Sequence, residues 1–172
     1  MPLIRLLTLT AALLASPPTD AGHARLAAMV GTWDVELTLW LRPGGAPVSA
    51  KGRSVIRPLF DGLFIEETID ATMNGSAVQT RAWTGYNPEN RQYEATRISS
   101  TNASRVVESG AYDEQAKRFA LNAEYPLAGE TWHQRTEIEM PSPDTMTAVS
   151  YLRFGAVPEW KATEIKYGRR RD

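Results

Sequence analysis

The sequence predicts an all-β protein whose strands form a meandering antiparallel sheet, preceded by one short helix. From Val30 to Leu41, large apolar residues occupy every second position, and this alternation is typical of a strand with one buried face. About ten short segments of this kind follow one another without a long helical pattern. Connections rich in Gly, Pro, Asn and Asp separate them, which favours hairpins. Closure into a barrel would remove the edges of such a sheet, and a two-sheet sandwich is the alternative.

The N-terminal part of this domain predicts a helix and then a strand. Residues 23–29 favour a helix of about two turns that stops at Gly31. The strand that follows places five large side chains on its inner face: Trp33, Val35, Leu37, Leu39 and Leu41. Trp40 falls on the outer face. The Pro- and Gly-rich segment 42–52 predicts a hairpin loop at the mouth of the barrel.

Nine further strands are predicted by alternation and turn residues. Asn74-Gly75, after the third strand, favours a type I′ hairpin. The basic run 169–171, after the last strand, is interpreted as a solvated tail. The predicted strands lie near residues 50–59, 62–73, 77–86, 91–100, 104–112, 117–126, 130–140, 145–154 and 159–167.

Length and composition indicate one domain and exclude several kinds of site. A chain of 172 residues is long enough to bury a sizeable core. A formal net charge of −1 provides no broad basic field, so we expect no nucleic-acid partner. The absence of cysteine excludes disulfides, thiolate metal sites and cysteine nucleophiles. The oligomeric state does not follow from the sequence.

The N-terminal residues 1–24 resemble a signal peptide. Arg5 provides a positive start, and residues 6–15 form an apolar run with small residues downstream. That run is too short for an integral membrane span. We therefore expect a periplasmic or secreted protein whose mature domain is 25–172, and the alternative is an N-terminal extension of a cytoplasmic protein. Cleavage could follow Ala15, Ala21 or Ala24.

Four motifs, taken in order, carry a family resemblance. They are LAAMVGTWDVELTLW (26–40), LFDGLFIEETI (59–69), WTGYNPENRQYEATRIS (83–99) and WKATEIKYGRRR (160–171). In this order they resemble the DUF1579 family of lipocalin-like, or calycin, bacterial proteins. The resemblance implies a barrel of eight to ten strands that can hold a small apolar or amphipathic molecule, and it implies no reaction. In the fifth strand, Arg97 and Ser99 stand where the family tends to have Trp and Asp.

Two charged residues are predicted to point into the barrel. In the third strand, Leu63, Ile65 and Ile69 are predicted to point inward, and their phase carries Glu67 with them. The phase of Tyr93 carries Arg97 inward. A buried carboxylate is costly unless it is paired or protonated. The sequence therefore predicts an interior pair of Glu67 with Arg97, which either serves only the fold or contacts a ligand. The guanidinium of Arg97 suits a carboxylate or phosphate on an otherwise apolar molecule.

The predicted binding residues come from several strands. Trp132 and Gln134 belong to an inward face of the eighth strand, whereas His133 faces solvent. The two histidines, His23 and His133, lie in no cluster of metal ligands, so we expect no metal, haem or other cofactor. The candidate ligand-binding set is Leu37, Leu39, Ile65, Glu67, Tyr93, Arg97, Trp132 and Gln134.

Three functions are compatible with these residues. The first is an exported, non-enzymatic binder of a small hydrophobic or amphipathic molecule, since no catalytic motif is found and no catalytic residue is assigned. The second is an isomerase or cyclase that uses a buried acid such as Glu67. The third is a structural or partner-binding module with a filled barrel. The alternation of apolar residues is the same for a filled and a hollow barrel.

Overall fold

The barrel is closed and consists of ten strands. The structure, a computed structural model, describes residues 20–101 and 103–171. Every strand pairs with its neighbours in sequence in antiparallel fashion, and pairing of the first strand with the tenth closes the sheet. The elements are α1 (Ala21–Met29), β1 (Gly31–Leu39), β2 (Val48–Leu59), β3 (Phe64–Met73), β4 (Ser76–Asn87), β5 (Gln92–Ser99), β6 (Val106–Asp113), β7 (Arg118–Leu127), β8 (Glu130–Ser142), β9 (Thr145–Phe154) and β10 (Val157–Arg169).

The two ends of the barrel differ. One end carries α1, which packs against β3, β4 and a 3₁₀ turn at Phe60–Gly62. This is the closed end. The open end lies opposite and includes the connections 40–47, 74–75, 128–129 and 155–156. Because consecutive hairpins alternate between the ends, the early part of β1 lies at the closed end and Leu39 lies at the open end.

Apolar packing fills the closed end. Leu26 and Met29 of α1 are buried beside Trp33 of β1, which has no exposed surface. The indole nitrogen of Trp33 donates to the carbonyl of Met29 at 3.0 Å. Asp20 caps the helix by accepting from the backbone nitrogens of Gly22 and His23. The helix therefore covers the closed end of the barrel, and we call it the helix plug.

Arg169, at the end of β10, binds the C-terminal end of α1. Its guanidinium donates to the carbonyls of Ala28 and Val30 at 2.8 and 2.7 Å and lies over the ring of Trp33 at 4.0 Å. A cation at a helix C-terminus is favourable because the helix dipole is negative there. The interpretation of residues 169–171 as a solvated tail is therefore wrong at Arg169, whereas Arg170 and Arg171 are exposed as expected. Arg169 is structural, and Arg170 lies 3.5 Å from Asp34.

Most of the predicted architecture is confirmed. The all-β class, the short N-terminal helix and the closed barrel are as expected, and the sandwich alternative is excluded. Asn74 and Gly75 both have positive φ, at 50° and 80°, as a type I′ hairpin requires. The predicted inward faces of β1 and β3 hold at Val35, Ile65 and Ile69, which are buried.

Three local predictions are wrong. Leu41 lies beyond the end of β1 and is 74% exposed. Leu63 is 43% exposed, because the positive φ values of Phe60, Asp61 and Gly62 interrupt the extended backbone before β3 begins. The segment 42–52 is only partly a loop, since β2 begins at Val48.

The predicted leader lies largely outside the described residues. Residues 1–19 of the predicted signal peptide are not described, whereas residues 21–24 form the first turn of α1. Two of the predicted cleavage points, after Ala21 and Ala24, therefore fall within the helix. Among the described residues, no helix is long and apolar enough to cross a membrane.

Close strand packing predicts an unequal response of two glycines to alanine. A Cβ on Gly110 of β6 would lie 1.9 Å from the carbonyl oxygen of Ala120, whereas a Cβ on Gly168 of β10 meets nothing within 4 Å. We expect Gly110→Ala to lower the free energy of unfolding by about 2 kcal/mol or more. Gly168→Ala, the matched control, should change it by less than about 0.5 kcal/mol. Urea denaturation measures both, and equal effects would contradict the close approach of β6 and β7.

Candidate functional site

The open half of the barrel contains a cavity of about 210 Å³. The barrel is therefore not filled by its own side chains. The apolar wall consists mainly of Leu37, Leu39, Ile69, Met73, Val78, Leu152 and Ile165. The polar groups are Thr80, Arg97, Ser99, Thr101, Ser104, Tyr125, Gln134, Ser150 and Thr163.

Arg97 of β5 is the charged side chain at the floor of this cavity. No other Lys, Arg, Asp or Glu among the described residues lines it. The side chain is 26% exposed, and it forms no hydrogen bond with the described part of the chain. Five N–H donors on a planar group beside an apolar wall suit an anionic end of a small molecule.

Glu108 of β6 lies beside Arg97 and does not itself line the cavity. Its Oε2 lies 3.8 Å from Nη2 of Arg97, and the side chain has no exposed surface. Its Oε1 accepts from Nε2 of Gln134 at 2.9 Å and from the hydroxyl of Thr136. Its Oε2 is buried without a hydrogen-bond partner among the described residues. A carboxylate that faces a guanidinium in this way compensates its charge within the barrel.

Glu67 of β3 lies on the closed side of Arg97. It lines a gap of about 40 Å³ between Arg97 and the helix plug, together with Ile65 and Tyr93. Its Oε1 accepts from the hydroxyl of Ser54 at 2.7 Å. Glu67 does not line the open cavity. Arg97 therefore lies between the carboxyl group of Glu67 and any molecule in the open cavity.

The electrostatics keep Arg97 charged. Burial alone would lower the pKa of Arg97, but the carboxylates of Glu108 and Glu67 outweigh it and raise that pKa above its ordinary value. Burial, followed by the charge of Glu67, raises the pKa of Tyr167 well above its ordinary value. Burial and the charge of Glu108 likewise raise the pKa of Tyr125. Tyr167 and Tyr125 therefore remain neutral around a permanently charged guanidinium.

Aromatic side chains form a rim over β8 to β10 at the open end. The ring of Trp132 stacks on that of Phe154 at 4.3 Å, and the ring of Trp160 meets both edge-on at about 6 Å. The indole nitrogens of Trp132 and Trp160 donate to the carbonyls of Leu127 and Trp40. Trp132 therefore lies at the mouth and does not line the cavity.

The histidines lie away from the cavity. His133 is on the outer face of β8, where its Nδ1 is 2.7 Å from Glu124. His23 is buried in α1, and its Nδ1 is 2.5 Å from Oδ2 of Asp20. Among the described residues, no group of three or more His, Asp or Glu side chains is placed to hold a metal ion.

The family assignment follows from a family model described as "Protein of unknown function (DUF1579)", which matches residues 18–169. The chain belongs to the DUF1579 family. The predicted resemblance is thereby confirmed. No curated protein sequence matches this DUF1579 chain.

Solved structures share the fold of this DUF1579 chain at low identity. Rv2717c from M. tuberculosis is 14% identical and aligns over 90% of this chain and 100% of its own, with a TM-score of 0.65. The S-type phycobiliprotein lyase CPES from Guillardia theta is also 14% identical, over 87% and 92%, with a TM-score of 0.60. The barrel EF1p2_mFAP2b, bound to DFHBI, is 10% identical, over 88% and 100%, with a TM-score of 0.50. These likenesses concern the fold.

The predicted site residues divide into three groups. Leu37, Leu39, Arg97 and Gln134 line the open cavity, whereas Ile65, Glu67 and Tyr93 lie with Arg97 around the gap below it. Trp132 lies at the rim. The predicted pair of Glu67 with Arg97 needs correction, since the carboxylate within 4 Å of Arg97 belongs to Glu108.

Sequence reasoning missed Glu108. The strand phase of Val106 and Tyr112 would have carried it inward, by the argument that placed Glu67. The contact with Arg97 follows because β5 and β6 are neighbours, with Ala95 opposite Glu108. Tyr167, Thr136 and Ser150 were missed because nothing in their own strands marks a hydroxyl-bearing side chain as part of a polar network.

The raised pKa of Tyr167 predicts a loss of stability in alkaline solution. The folded protein holds this proton more tightly than the unfolded chain, so the contribution to stability is complete below about pH 10 and is lost as pH rises further. In Tyr167→Phe, the decline of unfolding free energy above that pH should be smaller by up to about 1.4 kcal/mol per pH unit. Urea unfolding at stepped pH measures the slope. Ionisation of Tyr167 near pH 10 in the folded protein, seen in tyrosinate absorbance, would contradict the prediction.

Proposed function

We propose that the protein binds a small amphipathic molecule, whose anionic end contacts Arg97 and whose apolar part packs on the cavity wall, without converting it chemically. The observation that carries the proposal is the isolation of Arg97 as the charged side chain lining a mainly apolar cavity. An apolar pocket with a few placed polar groups is typical of small-molecule sites. The DFHBI held by a barrel of similar fold supports this use of the interior.

The size of the cavity limits the ligand. Drug-sized molecules usually occupy roughly 300–1,000 Å³, which is more than the 210 Å³ found here. We therefore expect a ligand with one short chain or one ring inside the barrel. A longer molecule would extend past the aromatic rim, where Trp132, Phe154 and Trp160 offer ring surfaces.

Two probes of equal chain length test the proposal. Octane-1-sulfonate carries an anionic end, and octan-1-ol carries a neutral one. We expect the full chain to bind the sulfonate more tightly. The substitution Arg97→Lys keeps the positive charge but removes the planar fork, so it should weaken sulfonate binding about tenfold and leave the alcohol nearly unchanged. Isothermal titration calorimetry measures both affinities.

The matched control is Arg153→Lys, because Arg153 is an exposed arginine on β9, outside the cavity. It should leave both affinities unchanged. Equal weakening of the two probes by Arg97→Lys would show that Arg97 acts on the fold alone. Absence of binding for both probes would contradict the proposed function.

We propose further that the protein is exported. The charged start, the apolar run over residues 6–15 and the small residues that follow support this. Of the three predicted cleavage points, the one after Ala15 would leave the helix cap at Asp20 intact, so we expect the mature chain to begin at Ser16. N-terminal sequencing of the protein from separated cell fractions tests this, and an uncleaved chain in the cytoplasmic fraction would contradict it.

A further inference from the structure

Three charged side chains meet in the middle of the barrel, and their charges do not cancel. Glu67 and Glu108 lie around Arg97, so two carboxylates and one guanidinium carry a net charge of −1 when all three are ionised. No other Lys, Arg, Asp or Glu of the described residues lines the open cavity or the gap beneath it. The excess negative charge is therefore not balanced by a second cation facing either space.

An anionic ligand would increase this imbalance. Its charge would lie beside Arg97, with the guanidinium between it and the carboxylates of Glu67 and Glu108, in the interior of the barrel, where water screens charges less than at the surface. Like charges in such a region disfavour the ionised state of a carboxyl group. The least costly response is for one carboxylate to bind a proton, so that the total charge stays at −1.

We propose that binding of an anionic end at Arg97 is coupled to uptake of one proton by the Glu67–Glu108 pair. The inference rests on the proposed function and specifies its regulation: the protein takes up its ligand as an anion together with a proton. It binds the ligand more tightly in mildly acidic than in alkaline solution. Linkage is reciprocal, so the bound anion strengthens proton binding by the same factor.

Glu108 is placed to receive that proton. Its Oε1 is occupied by the donors Gln134 and Thr136, whereas its buried Oε2 has no hydrogen-bond partner and faces Arg97. A proton on Oε2 removes the repulsion between Glu108 and the anion while both donors to Oε1 are kept.

The surroundings of Glu108 contain few other titratable groups. Arg97 and Tyr93 on β5, Glu67 on β3, Tyr125 on β7 and Tyr167 on β10 face the cluster. The neighbouring side chains from β8 and β9 are uncharged: Gln134, Thr136 and Ser150. Tyr93, Tyr125 and Tyr167 keep their protons at neutral pH, because burial raises the pKa of each. A proton taken up by this cluster is therefore assigned to a carboxylate.

The experiment counts protons during binding of octane-1-sulfonate to the full chain. The sulfonate stays ionised at every pH used, so any proton comes to the protein. Calorimetric titrations in buffers of different ionisation enthalpy give the number of protons taken up. We expect about one proton per sulfonate, and a dissociation constant that rises by up to about tenfold per pH unit where uptake occurs. Octan-1-ol should bind without protons and independently of pH.

Variants test whether the carboxylate pair takes up the proton. Glu108→Gln imitates the protonated side chain, so it should bind the sulfonate more tightly than the wild type at alkaline pH and without proton uptake. Glu67→Gln provides the same test should Glu108→Gln fail to fold, and the wild-type proton count needs no variant. His133→Gln is the matched control, because histidine titrates in the same pH range and His133 lies on the outer face. It should retain the wild-type proton count.

The outcomes separate the inference from the function on which it rests. Sulfonate binding with no proton uptake and a pH-independent affinity overturns the inference and leaves the proposed function intact. Binding of the alcohol but not of the sulfonate overturns the choice of an anion, and with it the coupling. Binding of neither probe at any pH overturns the proposed function itself.

Discussion

The structure depends on the compensation of one guanidinium by two carboxylates inside an otherwise apolar barrel. Ionised groups removed from water are costly unless they are paired and hydrogen-bonded. The two carboxylates therefore have polar partners: Gln134 and Thr136 donate to Glu108, and Ser54 donates to Glu67. A middle layer built in this way cannot close into a continuous apolar core. The open cavity lies above this layer.

The closed end has the opposite character. Trp33, Leu26 and Met29 pack there without a large void, and Arg169 ties the helix to the last strand. This plug gives the barrel a rigid base. In the open half, the apolar side chains of Leu39 and Leu152 line a cavity and are not covered by other side chains. The pairing of β1 with β10 keeps the sheet closed there. Stability and the candidate binding function are thus assigned to different halves of one sheet.

Local patterns in the sequence were sufficient for much of this arrangement. Period-two alternation identified ten strands and carried Glu67 and Arg97 to the inner face, because that periodicity is a property of each strand alone. The partner of Arg97 was not found, although Glu108 lies on the neighbouring strand, because the residue of β6 that stands beside Arg97 depends on the register of that strand pair. Leu41 and Leu63 were misplaced because strand ends are set by backbone turns. The role of Arg169 depends on a helix that is distant in sequence, and the cavity leaves no trace in the alternation.

A crystal structure of the protein grown with octane-1-sulfonate would test whether Arg97 binds an anion inside the open cavity. We expect density for one sulfonate in the open half of the barrel, with its oxygens within hydrogen-bond distance of Arg97 and its chain against Leu39 and Leu152. A sulfonate bound only on the outer surface, or a cavity closed by side chains with Arg97 turned to Glu67 and Glu108 alone, would contradict it.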